Sequence, residues 1–171
     1  MAEGYTLQTD RTKKVWEQII TATGSQRVLE IGYNYGHATT ILLDLGCKVH
    51  SVEINPECIV MMSLMTTATT QFSFTLADSK DLDVERHKNK YDLVFIDGEH
   101  TAKALQRDLV FAHQVGAKYI VVDDYNDDGW FYWIPDLVRQ MLERGFPYNL
   151  VTTYDYDASG GDNRMALLCM K

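Results

Sequence analysis

Five short apolar runs recur along the chain: Val28 to Ile31, Val49 to Val52, Phe72 to Leu76, Leu93 to Ile96 and Tyr119 to Val122. Each is rich in β-branched or aromatic residues and bounded by Gly, Asn or Asp, which is the pattern of a strand buried on both faces. Between them lie segments with helical spacing. Ala38, Ile41, Leu42 and Leu45 fall at i, i+3, i+4 and i+7, and Leu105, Leu109 and Ala112 repeat the pattern. Strand and helix alternating in this way predict an α/β fold: parallel strands joined by right-handed crossovers, with helices on both faces of one twisted sheet.

The boundaries carry their own signals. Asn55-Pro56 sets a capping side chain before a proline suited to a first helical turn, and Gly46 and Gly145 follow apolar stretches as helix stops. An opening helix over about Asp10 to Ala22 puts Val15, Trp16, Ile19 and Ile20 on one face, so it should pack on the sheet. Asn149 to Tyr154 and Met165 to Met170 are two further strand candidates, joined by the turn-forming stretch Asp157 to Asp162. They complete a mostly parallel seven-stranded sheet closed by a C-terminal antiparallel hairpin. Met61, Met62 and Met65 read as core filling.

A length of 171 residues with 46% hydrophobic content implies one compact domain over residues 1–171. The net charge of −8 argues against a nucleic-acid partner, because neutralising phosphates needs a basic surface. The polar stretch Met1 to Lys14 has no signal-peptide core, and no apolar run reaches membrane-spanning length, so a soluble cytoplasmic protein without a membrane partner is expected. Cys47, Cys58 and Cys169 lack any metal-like spacing and are expected to be buried thiols.

The strand Val28 to Ile31 runs into Gly32-Tyr33-Asn34-Tyr35-Gly36 and then into a helix, where an open α/β sheet binds its ligand. A glycine turn by itself also serves ligand-free folds. Glu53 adds weight, since it ends the second strand 21 residues after Gly32, where a carboxylate can accept hydrogen bonds from ribose hydroxyls. Asp78 and Ser79 follow the third strand and could face an adenine edge.

Taken together, Glu30-x-Gly32-x-x-x-Gly36-x-x-Thr39, Glu53, Asp78 and Asp97-Gly98-x-His100 resemble the class I S-adenosylmethionine-dependent methyltransferases. Within them the chain is most similar to the catechol-type small-molecule O-methyltransferases, over roughly residues 25 to 125. The resemblance implies a Rossmann-like fold and methyl transfer to a small-molecule hydroxyl. It implies that Glu30 and the loop residues Gly32, Tyr33, Asn34, Gly36 and Thr39 serve the methionine end of the cofactor. Glu53 would take the ribose, Asp78 and Ser79 the adenine, Ile54 would also contact the cofactor, and Asp97 would border the methyl. Asn34 stands where many such loops carry a central glycine.

Two buried strands end in carboxylates, Asp97 and Asp123-Asp124, and adjacent parallel strands would bring these ends together. Clustered anions invite a cation, and oxygen ligands favour Mg²⁺, Ca²⁺ or Mn²⁺. In the resembling family a magnesium ion here activates the substrate hydroxyl, which makes Asp97 and Asp124 the leading ligands. Tyr125 stands where the family often has an Asn as third ligand, so a pairing of Asp123 with Asp124 stays open. His100, with a side chain that ordinarily titrates near neutrality, is a candidate base beside Asp97, or else a residue that caps the next helix.

The aromatic stretch Tyr125 to Trp133 could wall a substrate pocket, fill the core or form a subunit contact. The lead of about 27 residues before the first strand is shorter than the resembling enzymes carry, so that stretch, or a homo-oligomeric partner, would have to complete the pocket. Two alternatives share the fold: a nicotinamide-dependent oxidoreductase, although the chain has no Tyr-x-x-x-Lys pair, and a cofactor-binding module without catalysis.

Overall fold

A computed structural model describes residues 10–127, 131–158 and 161–171. Helix α1 (Asp10–Thr23) leads into β1 (Arg27–Ile31), α2 (His37–Asp44), β2 (Lys48–Glu53) and α3 (Ile59–Ala68). There follow β3 (Phe72–Leu76), α4 (Val84–His87), β4 (Leu93–Ile96), α5 (Ala102–Gln114), β5 (Tyr119–Val122) and α6 (Trp133–Glu143). The hairpin of β6 (Tyr148–Ala158) and β7 (Gly161–Met170) ends the chain. The seven strands form one sheet in the order β3-β2-β1-β4-β5-β7-β6, parallel except for β7 between β5 and β6.

Strand side chains alternate between the two faces, and each face has its own core. Val28, Leu93, Phe95 and Val121 lie on one side with α1 and α2, where the buried Trp16 meets Phe95 edge-on at 4.8 Å. Leu29, Val94, Ile96, Ile120 and Val122 lie on the other side, with Leu105 and Leu109 of α5 and Ile134 and Val138 of α6. With both faces covered, β4 and β5 read as continuous apolar runs.

Four details differ from the sequence-based expectation. Asn55 does accept a hydrogen bond from the Glu57 amide, but Pro56–Cys58 is a 3-10 turn that precedes α3. Of the three methionines in α3, Met62 is buried and Met65 packs partly against the core, whereas Met61 is 49% exposed. The hairpin strands run further toward the turn than their hydrophobic pattern, held there by cross-strand pairs such as Asp155 with Arg164. All three cysteines are free, with Cys47 and Cys58 buried and Cys169 half-buried.

The registers position the site. Ile31 pairs with Val52 and with Ile96, and Ile96 pairs with Val122, so β1, β2, β4 and β5 end level with one another. Gly32, Glu53, Asp97 and Asp123 therefore stand along one C-terminal rim. The chain leaves β1 for β2 and β3 on one side and takes β4 and β5 to the other, which opens a crevice at that rim.

Candidate active site

Gly32 has φ +97°, and a Cβ there would lie 2.0 Å from the carbonyl oxygen of Asp97, so the β1 loop approaches the β4 end through glycine alone. Gly36, with φ +73°, starts α2, and a Cβ on it would strike the ring of Tyr33 at 2.6 Å. Asn34 between them also adopts positive φ, 48°, where asparagine is better tolerated than most residues.

Glu53 fixes this loop. One carboxylate oxygen accepts the Tyr33 and Asn34 amides at 2.9 and 2.8 Å, and the other accepts the Asn55 amide at 2.8 Å. The second oxygen keeps lone pairs at the cleft wall. Glu30 is placed otherwise than expected. It lies 1% exposed on the α2 side of the sheet, where Thr39 and Ser51 donate to one of its oxygens, and it does not line the cleft. Burial pushes its carboxyl up to about 8 against those two hydrogen bonds, with Asp97 and Glu53 adding to the rise. Tyr33, Gly36 and Thr39 likewise support the loop from beneath without reaching the cleft.

The cleft itself measures about 610 Å³, within the range that holds a cofactor-sized molecule. Gly32, Asn34, Glu53, Ile54, Asp78, Ser79, Asp97 and His100 all line it, with Gly32 beside Asp97. Asp78 pairs with Lys80 at 2.6 Å, and Ser79 is held by a cation that the sequence reading missed. The Arg107 guanidinium donates to Ser79 Oγ at 3.0 Å and lies 3.5 Å from Asp78, while Ser79 donates to the buried Asp108 at 2.7 Å. The available signal was Asp108 itself, a carboxylate lodged in the apolar stripe Leu105, Leu109 and Ala112.

Asp97, His100 and Asp124 bring ligand atoms within 4.8 Å of one another and are the group among the described residues that could hold a metal ion. His100 Nε2 lies 2.8 Å from Asp124 and 3.7 Å from Asp97. Burial alone would lower the His100 pKa, but hydrogen bonds and attraction to the two aspartates outweigh it and raise the pKa to about 10. Asp97 moves upward because of burial, an effect His100 partly offsets.

Asp123 is the second correction, since it does not belong to this group. Its carboxylate accepts the Tyr156 hydroxyl at 2.6 Å and borders a small cavity of about 20 Å³ that Asp97 and His100 also line, and burial drives its pKa well upward.

The aromatic stretch divides its roles. Phe131 stacks on His100, with ring centroids 4.2 Å apart, and walls the cleft. Tyr125 is buried in the core, Tyr132 is exposed, and Asp128, Gly129 and Trp130 lie outside the described residues.

Comparison with known proteins decides the family: the profile of a methyltransferase domain matches residues 29–125, more than half of the chain. The chain belongs to this methyltransferase family. Membership sets aside the nicotinamide alternative and agrees with the resemblance carried by the glycine loop. Among curated proteins, none matches the sequence. Solved structures share the fold. The O-methyltransferase TomG from Streptomyces achromogenes, involved in tomaymycin synthesis and solved with S-adenosylmethionine, has a TM-score of 0.74 at 14% identity, covering 96% of this methyltransferase and 82% of TomG. An O-methyltransferase from Bacillus cereus, in complex with S-adenosylhomocysteine, gives 0.72 at 16% identity, covering 95% and 82%. The N-methyltransferase NodS from Bradyrhizobium japonicum, also with S-adenosylhomocysteine, gives 0.72 at 13% identity, covering 95% and 88%. No helix among the described residues is long and apolar enough to cross a membrane.

Proposed function

We propose that this methyltransferase moves the methyl group of S-adenosylmethionine to a hydroxyl of a small molecule, assisted by a divalent cation at Asp97 and Asp124. The single observation that carries the reading is the continuity of one cleft, from the Glu53-braced glycine loop to the Asp97, His100 and Asp124 group. Structural neighbours with O- and N-acceptors share the fold, so the choice of oxygen rests on the acidic group. A neutral amine needs no cation to become nucleophilic, whereas a hydroxyl gains from one.

Two carboxylates and an imidazole suit Mn²⁺ or another first-row ion at least as well as Mg²⁺. When bound, the cation would supply Lewis-acid stabilisation of the acceptor oxygen as it loses its proton. The protein's own groups do the rest. The Glu53 oxygen that accepts the Asn55 amide keeps a lone pair for a ribose hydroxyl, and Arg107 orders Ser79 along the adenine side. The close approach of Gly32 to Asp97 keeps the cofactor's methionine end next to the carboxylates. Phe131, stacked on His100, shields that end from water. The acceptor oxygen then attacks the methyl carbon in line as the carbon–sulfur bond breaks, and its proton passes to a group of the Asp97, His100 and Asp124 cluster. Holding both reactants in line supplies most of the acceleration.

The test is transfer of radiolabelled methyl from S-adenosylmethionine to a panel of catechols, sugars and polyols, with Mn²⁺, with Mg²⁺ and with chelator. Metal-dependent labelling that disappears in Asp97→Asn supports the reading. Labelling of amines only, or labelling indifferent to chelator, contradicts it.

A further inference from the structure

Asp123 and Asp124 are adjacent in the chain, identical in chemistry and both at the rim, yet the structure gives them different partners. The difference originates in the hairpin β6–β7, far away in sequence. Tyr156, 1% exposed, donates its hydroxyl to Asp123. Asn163, 9% exposed, donates its amide to Asp124 Oδ1 at 2.5 Å and to the Tyr156 hydroxyl at 2.7 Å. The Asn163 carbonyl is occupied in turn, accepting from the Asn126 side chain and from the Arg164 amide at 2.9 Å. With both ends held, Asn163 presents its donor to Asp124 in one orientation. Only the second oxygen of Asp124 is left for the cleft, and it is that oxygen which meets His100.

Asp124 also has φ +53°, a conformation that an aspartate adopts at a cost of about 1 kcal/mol or more and that neighbouring contacts must sustain. That backbone twist is what releases Asp124 from strand alternation, and it is followed at once by the Tyr125 amide bonding to the Arg164 carbonyl of β7 at 2.8 Å.

From this geometry we infer that Asn163 and Tyr156 are positioning residues which sort the two aspartates, delivering Asp124 to the cation site and withholding Asp123 from it. The inference rests on the cation site proposed above. Groups behind metal ligands ordinarily tune affinity by about 10- to 100-fold through orientation alone. Asn163 has the required features: it is buried, saturated with partners and in contact with Asp124 without reaching the cleft.

The experiment measures Mn²⁺ binding by electron paramagnetic resonance, and S-adenosylmethionine binding by calorimetry, for the full chain and four variants. Asp124→Asn should lose Mn²⁺ binding and Asp123→Asn should keep it. Asn163→Leu should weaken Mn²⁺ by about 10-fold or more while S-adenosylmethionine affinity is unchanged. Should Asn163→Leu fail to fold, Asn163→Ala makes the same test with less steric demand. Equal losses in Asp123→Asn and Asp124→Asn, or full Mn²⁺ affinity in the Asn163 variants, would overturn the sorting role while leaving the cation site standing. Absence of Mn²⁺ binding by the unaltered chain would overturn the site and the sorting role together.

Discussion

The α-carbon of Gly32 faces the backbone carbonyl of Asp97 so closely that a side-chain methyl placed on it would sit 2.0 Å from that oxygen. The first and fourth strands thus meet at the rim through a residue with no side chain, and φ +97° excludes other residues on conformational grounds as well. The obstacle is backbone, which cannot rotate aside. Gly32→Ala should therefore cost roughly 3 kcal/mol or more of stability and abolish S-adenosylmethionine binding. Thermal unfolding and calorimetry check both, and an alanine variant with native stability and cofactor affinity would mean the loop does not need this contact.

Glu30 gives the fold a pH dependence of unusual sign. Its folded pKa of about 8 lies above the ordinary 4.5 because burial outweighs the donors Thr39 and Ser51, with Asp97 and Glu53 as the nearby anions. Its contribution is then fully present below about pH 4.5 and lost as the pH rises through 8. Glu30→Gln, which cannot ionise, should narrow the stability loss between pH 6 and 9 by roughly 2–3 kcal/mol relative to the unaltered chain. Chemical denaturation at the two pH values checks this; equal losses in both proteins would contradict it.

His50 works in the opposite direction. It bridges β2 and β3 through Ser73 at 2.8 Å and Thr75 at 3.0 Å, and burial, reinforced by His87 and Lys90, lowers its pKa to about 4. A lowered folded pKa means stability present above 6.5 and lost as the pH falls through about 4. With a discount for its partial exposure, about 2 kcal/mol depends on its staying neutral. His50→Gln should show a shallower decline in melting temperature between pH 7 and pH 4. A steeper decline in the variant would contradict the assignment.

The fold was legible because the central strands bury both faces: Leu93 to Ile96 and Tyr119 to Val122 stand as uninterrupted apolar runs, whereas the edge strand Phe72–Leu76 buries only Phe72. The outer hairpin was legible only in part, since beyond Tyr154 it is held by polar pairs such as Asp155 with Arg164 that leave no hydrophobic pattern. In the site, Gly32, Glu53 and Asp97 were readable as rim residues because each directly follows or ends a strand. Glu30 was misplaced because strand alternation turns it under the sheet toward Thr39 and Ser51. Arg107, Tyr156 and Asn163 went unseen because they act across 28 to 39 residues of separation, where only tertiary structure reveals the contact. The rise of the His100 pKa depended on the same kind of contact, with Asp124 arriving from the next strand.

The most direct test of the whole account is calorimetric titration with S-adenosylmethionine at neutral pH, with NAD as comparator and Glu53→Ala as control. Glu53 holds the glycine loop through the Tyr33 and Asn34 amides and keeps an oxygen at the cleft. Micromolar binding of S-adenosylmethionine, absent for NAD and lost in Glu53→Ala, is the result expected. Failure to bind S-adenosylmethionine, or binding that survives intact without the Glu53 carboxylate, would contradict the proposed cleft.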